Sequence, residues 1–375
     1  MPGLMPDVDP DGLLEFSVVF TDRSLNHMSA KFQDVMNDIS ATLKEVYNAD
    51  AVVVVPGGGT FGMEAVARQF ATDELCLVIR NGWFSFRWTQ IFQMGQIPSD
   101  HIVMKAARTA EDRTAPFAPA AVEDVCARIA ADKPAVVFAP HVETSSGIIL
   151  PDDYLQAVAA ATHEAGGLFV LDCIASGAMW VDMQAVGVDV LISAPQKGWS
   201  ASPCSALVML SEAAVERMQS KTSSSFAADL GKWLQIMQAY EGGGHAYHAT
   251  MPTDALTQFR NTILESAQVG FDNMRNNQQE LGTKVRSLLS ERGLQSVAAP
   301  GFEAPGVVVC YTEDGDMQTG KAFVPAGLQI AAGVPLQCDE GDDYRSFRLG
   351  LFGLEKLNNV DRTVATLAAA LDEIL

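Results

Sequence analysis

The sequence predicts an α/β fold in which helices cover both faces of a doubly wound, mostly parallel sheet. Short and almost wholly apolar runs alternate with stretches of helical periodicity from residue 51 to residue 210. Parallel strands covered on both faces need continuous apolar runs of this kind, and alternation of strands with helices favours parallel pairing. A chain of 375 residues is long enough for two domains. We therefore predict a large domain over residues 1–269, which includes an N-terminal arm, and a smaller C-terminal α+β domain over residues 270–375.

The large domain begins with three segments of different character. Residues 1–15 are rich in Pro and Asp and are expected to form a loose arm, and residues 16–20 (FSVVF) are expected to form a short strand. Residues 30–47 predict an amphipathic helix, because apolar side chains recur there at helical spacing. The following strands are predicted at residues 51–55, 74–79, 101–105, 135–140, 168–172, 188–193 and 206–210. The helices are predicted after the glycine turn that follows residue 55 and at residues 87–94, 119–131, 152–165 and 229–240, with Pro119 at a first helical position that tolerates proline.

The C-terminal part of the chain leaves this alternation. A long helical pattern runs from residue 255 to residue 292, and a closing helix is predicted at residues 360–375. Strand-like runs occur at residues 306–312 and 346–351. This change of pattern is the reason for placing the domain boundary near residue 270.

Composition restricts the classes of partner. The formal net charge of −21 argues against nucleic acid and anionic membranes, because both repel an acidic surface. No apolar stretch is long enough to cross a bilayer, and the first residues lack the basic and apolar regions of a signal peptide. The six cysteines are scattered without any CxxC pair, which predicts reduced thiols. We expect a cytoplasmic protein that acts on small molecules.

An acidic and a basic residue follow two strands of the predicted sheet. Asp172 ends the run LFVLD, and Lys197 closes the sequence APQK directly after VDVLIS. Adjacent strands lie about 4.8 Å apart and ligands bind beyond their carboxyl ends, so the two side chains are placed to flank one flat heteroaromatic ring. Pyridoxal phosphate needs this pair, because a lysine carries its aldehyde as a Schiff base and a carboxylate keeps its pyridine nitrogen protonated. A helix cap for Asp172 and a solvated charge for Lys197 are the simpler alternatives.

A glycine turn follows the strand at residues 51–55. Residues 57–62 (GGGTFG) open a helix, and the N–H groups at such a helix start hold phosphates. The run also satisfies the GxGxxG pattern of dinucleotide-binding folds, which would make the protein a nicotinamide oxidoreductase. That interpretation requires an acidic residue at the end of the next strand, where the sequence has Arg80. A phosphate site and a purely structural turn both stay open.

Two further strand ends carry side chains suited to ligand binding. Residues 81–87 (NGWFSFR) supply aromatic rings, one of which can stack on a bound ring, and the others are expected to be core residues. Residues 141–147 (HVETSSG) supply hydroxyl groups, although such a run is also typical of an ordinary turn.

With these motifs in place, the chain resembles the fold-type I, class V aminotransferases. Within that family it is most similar to the alanine–glyoxylate, serine–pyruvate and 2-aminoethylphosphonate–pyruvate aminotransferases, over residues 25–375. The motifs that carry the resemblance are GGGTFGMEA, NGWFSFR, HVETSSG, LDCIAS, SAPQK, YHATMP and FRLGLFG. The resemblance implies a fold-type I pyridoxal-phosphate enzyme and a homodimer with shared active sites.

The resemblance also implies a role for each matching residue. Lys197 and Asp172 are the catalytic pair named above. Arg348 matches the arginine that binds the substrate α-carboxylate. In the family, the residues at the positions of Tyr247 and Thr250 reach the cofactor phosphate of the neighbouring subunit. The remaining cofactor contacts are Phe84 stacking on the ring, Thr144 near it, Ile174 on its other face, and Gly58, Gly59, Thr60 and Gln196 at the phosphate.

Two departures from the family leave the substrate open. A glycine–proline segment usual near the N-terminus is replaced by FSVVFTDRSLNHMS, and the usual Pro-Pro-Gly after the lysine becomes Ser202-Pro203-Cys204. We expect transfer of an amino group from a small amino acid such as alanine or serine to a 2-oxo acid such as glyoxylate or pyruvate. A 2-aminoethylphosphonate transaminase and a pyridoxal-phosphate-dependent lyase are the alternatives.

Metal and persulfide chemistry are not expected. The six histidines show no metal-ligand spacing; His245 and His248 are three residues apart but lack further ligands. Cys338 lies ten residues before Arg348, as the reactive cysteine of class V desulfurases precedes its own arginine, but its flanks fit that pattern poorly. We interpret Cys338 as an exposed loop cysteine.

Overall fold

The computed structural model describes residue 5 and residues 7–375, so the predicted arm over residues 1–15 lies partly outside the described residues. The strands in chain order are β1 (Ala51–Pro56), β2 (Leu75–Arg80), β3 (Asp100–Lys105), β4 (Ala107–Arg108), β5 (Phe117–Ala118), β6 (Val136–Pro140), β7 (Val142–Glu143), β8 (Ile148–Ile149), β9 (Leu168–Asp172), β10 (Val190–Ser193), β11 (Ser205–Leu210), β12 (Val307–Tyr311), β13 (Ala331–Ala332) and β14 (Ser346–Gly350).

The helices of the described residues are numbered in chain order in the same way. They are α1 (Ala30–Tyr47), α2 (Gly59–Phe70), α3 (Trp83–Gly95), α4 (Val122–Asp132), α5 (Asp152–Glu164), α6 (Met183–Val186), α7 (Glu212–Gln219), α8 (Leu230–Glu241), α9 (Thr253–Val269), α10 (Phe271–Glu291), α11 (Gly315–Thr319), α12 (Leu354–Leu357) and α13 (Val360–Ile374), with a 3₁₀ turn at Lys321–Phe323.

The central sheet has seven strands in the order β1-β11-β10-β9-β6-β2-β3. The pairs from β10 to β3 are parallel, and β11 is antiparallel to both of its neighbours. β6, β9, β10 and β11 are buried along their whole length, as a sheet covered on both faces requires. The predicted doubly wound, mostly parallel α/β fold is confirmed.

Helix α1 shows how the sequence specifies these elements. Ser29 caps its N-terminus by accepting a hydrogen bond from the Phe32 N–H, and Asn48 ends it in the left-handed conformation. Its buried side chains recur at helical spacing, so one face enters the core while the other meets solvent. The predicted bounds of this helix, residues 30–47, agree with the structure.

A second, smaller sheet lies in the C-terminal part of the chain. Its strands are antiparallel in the order β12-β14-β13, and α10 and α13 pack together beside it. The single helix predicted for residues 255–292 is wrong, because Gly270 has a φ of 90° and separates α9 from α10. Such a φ is readily available only to glycine. The domain boundary at residue 270 stays a prediction.

Three local predictions in the large domain need correction. Residues 16–20 form no strand; the Ser17 hydroxyl accepts hydrogen bonds from Val19 and Phe20 N–H groups in a turn, and Phe16 is 88% exposed. Helix α4 begins at Val122 rather than at Pro119. Helix α3 begins at Trp83, four residues before the predicted start.

Close approach of α2 to the sheet requires a glycine at position 62. A Cβ atom added there would lie 2.5 Å from Ala206 Cβ and 3.2 Å from Ile192 Cγ2. Both contacts come from strands of the central sheet, so the helix rather than a flexible side chain would have to move. Gly62 therefore fixes the distance between the sheet and the helix that starts at the glycine turn.

We predict that Gly62→Ala lowers the free energy of unfolding by about 1–3 kcal/mol, because overpacking outweighs the better helix propensity of alanine. Denaturant unfolding measures the change. Gly315→Ala is the control, since an added Cβ meets no atom within 4 Å there. Its unfolding free energy should stay within about 0.5 kcal/mol of the wild type. Equal stability of the two variants would contradict the packing argument.

Candidate active site

A cavity of about 210 Å³ lies beyond the carboxyl ends of the parallel strands. It is lined by residues from several strand ends, so elements distant in sequence meet there. The predicted site residues that line it are Gly59, Thr60, Phe84, Thr144, Asp172, Ile174, Gln196 and Lys197.

Asp172 is the last residue of β9 and is almost completely buried. Its Oδ1 accepts a hydrogen bond from the Ile174 N–H at 2.9 Å. Burial raises the pKa of Asp172 to about 7, while that hydrogen bond and the charges of Arg87 and Lys197 act in the opposite direction. A cationic partner close to this carboxyl group would lower its pKa again and stabilise the ionised form.

Lys197 follows β10, the parallel neighbour of β9, and its side chain is largely buried. Burial lowers the pKa of its ammonium group, the charge of Arg348 lowers it further, and Asp172 opposes both effects. Its Nζ lies 5.4 Å from the centre of the Phe352 ring. A lowered pKa increases the neutral fraction of the amine, which is the nucleophilic form.

The glycine turn closes one end of the cavity. Gly58 is the N-cap of α2 and no side chain caps this helix start. A Cβ on Gly59 would lie 2.6 Å from Ile174 Cδ1, and one on Gly58 would meet nothing within 4 Å. The buried Oε1 of Gln196 has no hydrogen-bond partner among the described residues. The turn thus offers the N–H groups of a helix N-terminus to a ligand, and the neighbouring Gln196 has an amide oxygen that can accept a hydrogen bond.

Phe84 and Thr144 are held in place by a buried carboxylate. Glu143 is fully buried and accepts hydrogen bonds from the N–H groups of Phe84 and Ser85, at 3.2 and 2.8 Å. It also accepts hydrogen bonds from the N–H and hydroxyl of Ser145 and from the Ser85 hydroxyl. Glu143 therefore caps α3 and joins it to the loop that carries Thr144.

Arg348 lies in an adjoining cavity of about 740 Å³ that shares Phe84, Thr144 and Lys197 with the first. Its guanidinium carbon lies 5.6 Å from the centre of the Phe84 ring, and its Nε donates to the Ala332 carbonyl at 2.7 Å. Burial lowers its pKa, and the charge of Glu143 opposes that shift. The arrangement leaves a guanidinium facing the same space as Lys197.

Tyr247 and Thr250 do not join the other predicted residues. They line neither cavity, and their hydroxyl groups lie 3.2 Å apart in a loop where Tyr247 is 54% exposed. The ring of Tyr247 lies 5.5 Å from that of His27. Within one chain these two residues are therefore outside the site, which leaves their predicted action on a neighbouring subunit open.

Sequence reasoning missed Arg87 and Glu143 as site residues. Arg87 lines the 210 Å³ cavity, three residues after Phe84 on the same face of α3. That spacing becomes informative only once the helix is known to start at Trp83. Glu143 lay within the motif HVETSSG, but its role depends on a helix end far away in sequence.

The remaining expectations concern metal and cysteine chemistry. Among residue 5 and residues 7–375, no group of three or more His, Cys, Asp or Glu side chains is placed to hold a metal ion. Cys338 is buried rather than exposed, and its Sγ donates to the Arg80 carbonyl at 3.5 Å. The prediction of an exposed loop cysteine is wrong, and Cys338 lines neither cavity.

In the described part of the chain, no helix has the length and apolar character needed to span a bilayer.

Comparison with known proteins adds an independent observation. Residues 15–335 match the family model described as Aminotransferase class-V. The chain is 25% identical to the alanine–glyoxylate aminotransferase of Mus musculus, with 93% of this chain and 82% of that protein aligned. It is also 25% identical to the 2-aminoethylphosphonate–pyruvate transaminase 2 of Paraburkholderia xenovorans, with 94% of this chain and 92% of that protein aligned. Its fold is similar to that of an alanine–glyoxylate aminotransferase from Nostoc sp., with a TM-score of 0.76, 22% identity and coverage of 92% and 89%.

We predict that Asp172 makes the ligand-free protein less stable as pH rises from about 4 to 7. The folded state raises the pKa of Asp172 from 3.8 to about 7, so between these values the folded state binds more protons than the unfolded state. Stability therefore falls with rising pH in this window. Unfolding free energies of wild type and Asp172→Asn, measured across it, should diverge by up to about 1.4 kcal/mol per pH unit. Parallel curves would show that Asp172 titrates normally.

Proposed function

Because the chain belongs to the class V aminotransferase family, we propose that it moves an amino group from a small amino acid to a 2-oxo acid such as glyoxylate or pyruvate. Aminotransferases of that family move an amino group between an amino acid and a 2-oxo acid, and the family match together with the alanine–glyoxylate relatives supports a pyridoxal-phosphate-dependent transaminase. The donor, the acceptor and the residue roles are the proposed part. The observation that carries them is the meeting of Lys197, Asp172 and Phe84 in one cavity that adjoins Arg348.

The residues of the 210 Å³ cavity fit pyridoxal phosphate. Lys197 supplies an amine for the aldehyde, and Asp172 supplies a carboxylate for the pyridine nitrogen. The uncapped start of α2 suits a phosphate group, and the side-chain NH₂ of Gln196, which lines the same cavity, can donate a hydrogen bond to it. When bound, the cofactor draws electrons away from the substrate Cα as its C–H bond is broken.

Different protein groups hold or transfer protons and orient the cofactor ring. The Asp172 carboxylate holds a proton on the pyridine nitrogen, which its buried position makes a strong interaction. The Nζ of Lys197, whose pKa burial lowers, accepts the proton that leaves the substrate Cα. Phe84, fixed through the hydrogen bonds that Glu143 accepts, provides an aromatic face for the ring, with Ile174 opposite.

Arg348 orients the substrate. A guanidinium group matches a carboxylate with two parallel hydrogen bonds, and donor and acceptor both carry an α-carboxylate. Its position beside Phe84 and in the cavity that Lys197 also lines supports this role. One arginine can therefore serve both halves of the reaction.

A homodimer with shared sites is part of the proposal. Tyr247 and Thr250 are exposed polar residues away from the cavity of their own chain, in the motif YHATMP that in the family reaches the neighbouring subunit. A cytoplasmic location is likewise proposed, supported by six unpaired cysteines.

A 2-aminoethylphosphonate transaminase is the second candidate. The likeness to the Paraburkholderia xenovorans protein, which covers nearly the whole of both chains, favours it. A pyridoxal-phosphate-dependent lyase would use the same Lys197 and Asp172. A panel of amino acids and 2-aminoethylphosphonate, each tested with pyruvate and glyoxylate, decides between them: formation of alanine or glycine identifies a transaminase, and release of ammonia or another fragment without it identifies a lyase.

We predict that Lys197→Ala abolishes turnover and leaves the cofactor only non-covalently bound. Borohydride treatment of wild type with pyridoxal phosphate should fix the cofactor to the peptide that contains Lys197, as mass spectrometry of a digest would show. Lys356→Ala is the control, because Lys356 lines the adjoining cavity. It should retain the modified peptide. Modification of another lysine in wild type would contradict the assignment.

We predict that Arg348→Ala lowers kcat/KM for donor and acceptor alike by about 30-fold or more, since losing one partner of a buried charge pair costs roughly 2–5 kcal/mol. Arg348→Lys keeps the charge but loses the planar fork and should also be impaired. Steady-state kinetics with both substrates measures the effect. Arg345→Ala, an exposed position three residues earlier, is the control and should behave as wild type. An unchanged kcat/KM in Arg348→Ala would refute the role.

A further inference from the structure

We propose that Arg87 binds the phosphate of the cofactor and supplies the positive charge that balances it, an inference that rests on the proposed function. Its side chain lines the 210 Å³ cavity, and its Nη1 donates a hydrogen bond of 2.7 Å to Thr60 Oγ1. Thr60 belongs to the first turn of α2, where the phosphate contacts are proposed. The guanidinium thus lies at the phosphate end of the cavity.

The charges of the cavity lead to the same conclusion. A phosphate monoester carries close to two negative charges at neutral pH. The other phosphate contacts proposed for this chain are backbone N–H groups, the hydroxyl of Thr60 and the amide of Gln196, all of them neutral. Two cations line the described cavity, and the amine of Lys197 is engaged with the cofactor aldehyde. Arg87 is the cation that remains for the phosphate.

Arg87 is also free to bind an anion. It forms no ion pair with any carboxylate of residue 5 or residues 7–375. Its guanidinium carbon lies 5.1 Å from the centre of the Phe84 ring, a contact that stabilises a cation on an aromatic face. Thr60 and Phe84 hold the side chain from two sides, so little conformational entropy is lost when a phosphate binds.

The helix geometry connects this residue to the ring-binding aromatic. Phe84 and Arg87 are three residues apart on α3, and Glu143 fixes the start of that helix. One helix turn therefore presents an aromatic face for the cofactor ring and a guanidinium for its phosphate. Their spacing is set by the backbone rather than by flexible loops.

The test compares pyridoxal phosphate with pyridoxal, which lacks the phosphate. Affinities of cofactor-free wild type, Arg87→Gln and Arg87→Lys are measured for both compounds by absorbance titration. We expect Arg87→Gln to lose about 10- to 100-fold in affinity for pyridoxal phosphate and almost none for pyridoxal. Arg87→Lys should lose less, because it keeps the charge. Lys356→Gln, which removes a positive charge from the adjoining cavity, should leave the preference for the phosphorylated compound unchanged.

A second measurement reports on the phosphate itself. In wild type the ³¹P resonance of bound pyridoxal phosphate should show a dianion at pH values below the phosphate's usual pKa of about 6. In Arg87→Gln, or in Arg87→Met if the glutamine variant does not fold, the loss of the positive charge should move that pKa upward. Equal losses for both compounds and an unmoved phosphate pKa would overturn the role of Arg87 alone. Failure of wild type to bind pyridoxal phosphate at all would overturn the proposed function with it.

Discussion

The parallel pairing of β9 with β10 is the constraint on which the site depends. In this pairing Ile192 lies opposite Asp172, so the last residue of one strand is aligned with the segment that leads to Lys197. Both strands are buried along their whole length, and a shift of register would expose apolar side chains. The separation of the carboxylate and the amine is thus maintained by the core of the sheet rather than by contacts between the two groups.

Burial gives these two groups their chemistry. The same low-dielectric surroundings raise the pKa of Asp172 to about 7 and lower that of Lys197, so burial favours the neutral form of each group. Arg348 adds to the shift at Lys197, whereas Glu143 adds to the shift at Asp172. A ligand with a cationic ring nitrogen would reverse the shift at Asp172. Ligand binding and the protonation state of Asp172 are therefore coupled.

The periodicity of the sequence predicted the seven strands of the central sheet and most of the longer helices, because elements that pack into the core carry local apolar patterns. It did not predict the start of α3, since the carboxylate that caps this helix belongs to Glu143, whose strand is distant in sequence. Because α3 starts at Trp83, Phe84 and Arg87 lie three residues apart on one helix. With the predicted start at residue 87, Phe84 was outside the helix and this spacing could not be inferred. The strand predicted at residues 16–20 shows the opposite kind of error. The local composition suits a strand, but no neighbouring strand pairs with these residues, so the strand does not form.

The overall charge of the chain and the charge of its site have opposite signs. A net charge of −21 argues against anionic macromolecules as partners, yet Arg87, Lys197 and Arg348 converge on two connected cavities. Screening explains the difference, because surface charges beyond about 8–10 Å are weakened by salt while buried charges act over short distances at low dielectric. Composition can therefore argue against a class of macromolecule while leaving the small-molecule ligand undetermined. For that ligand the positions of three cations matter more than the sum of all charges.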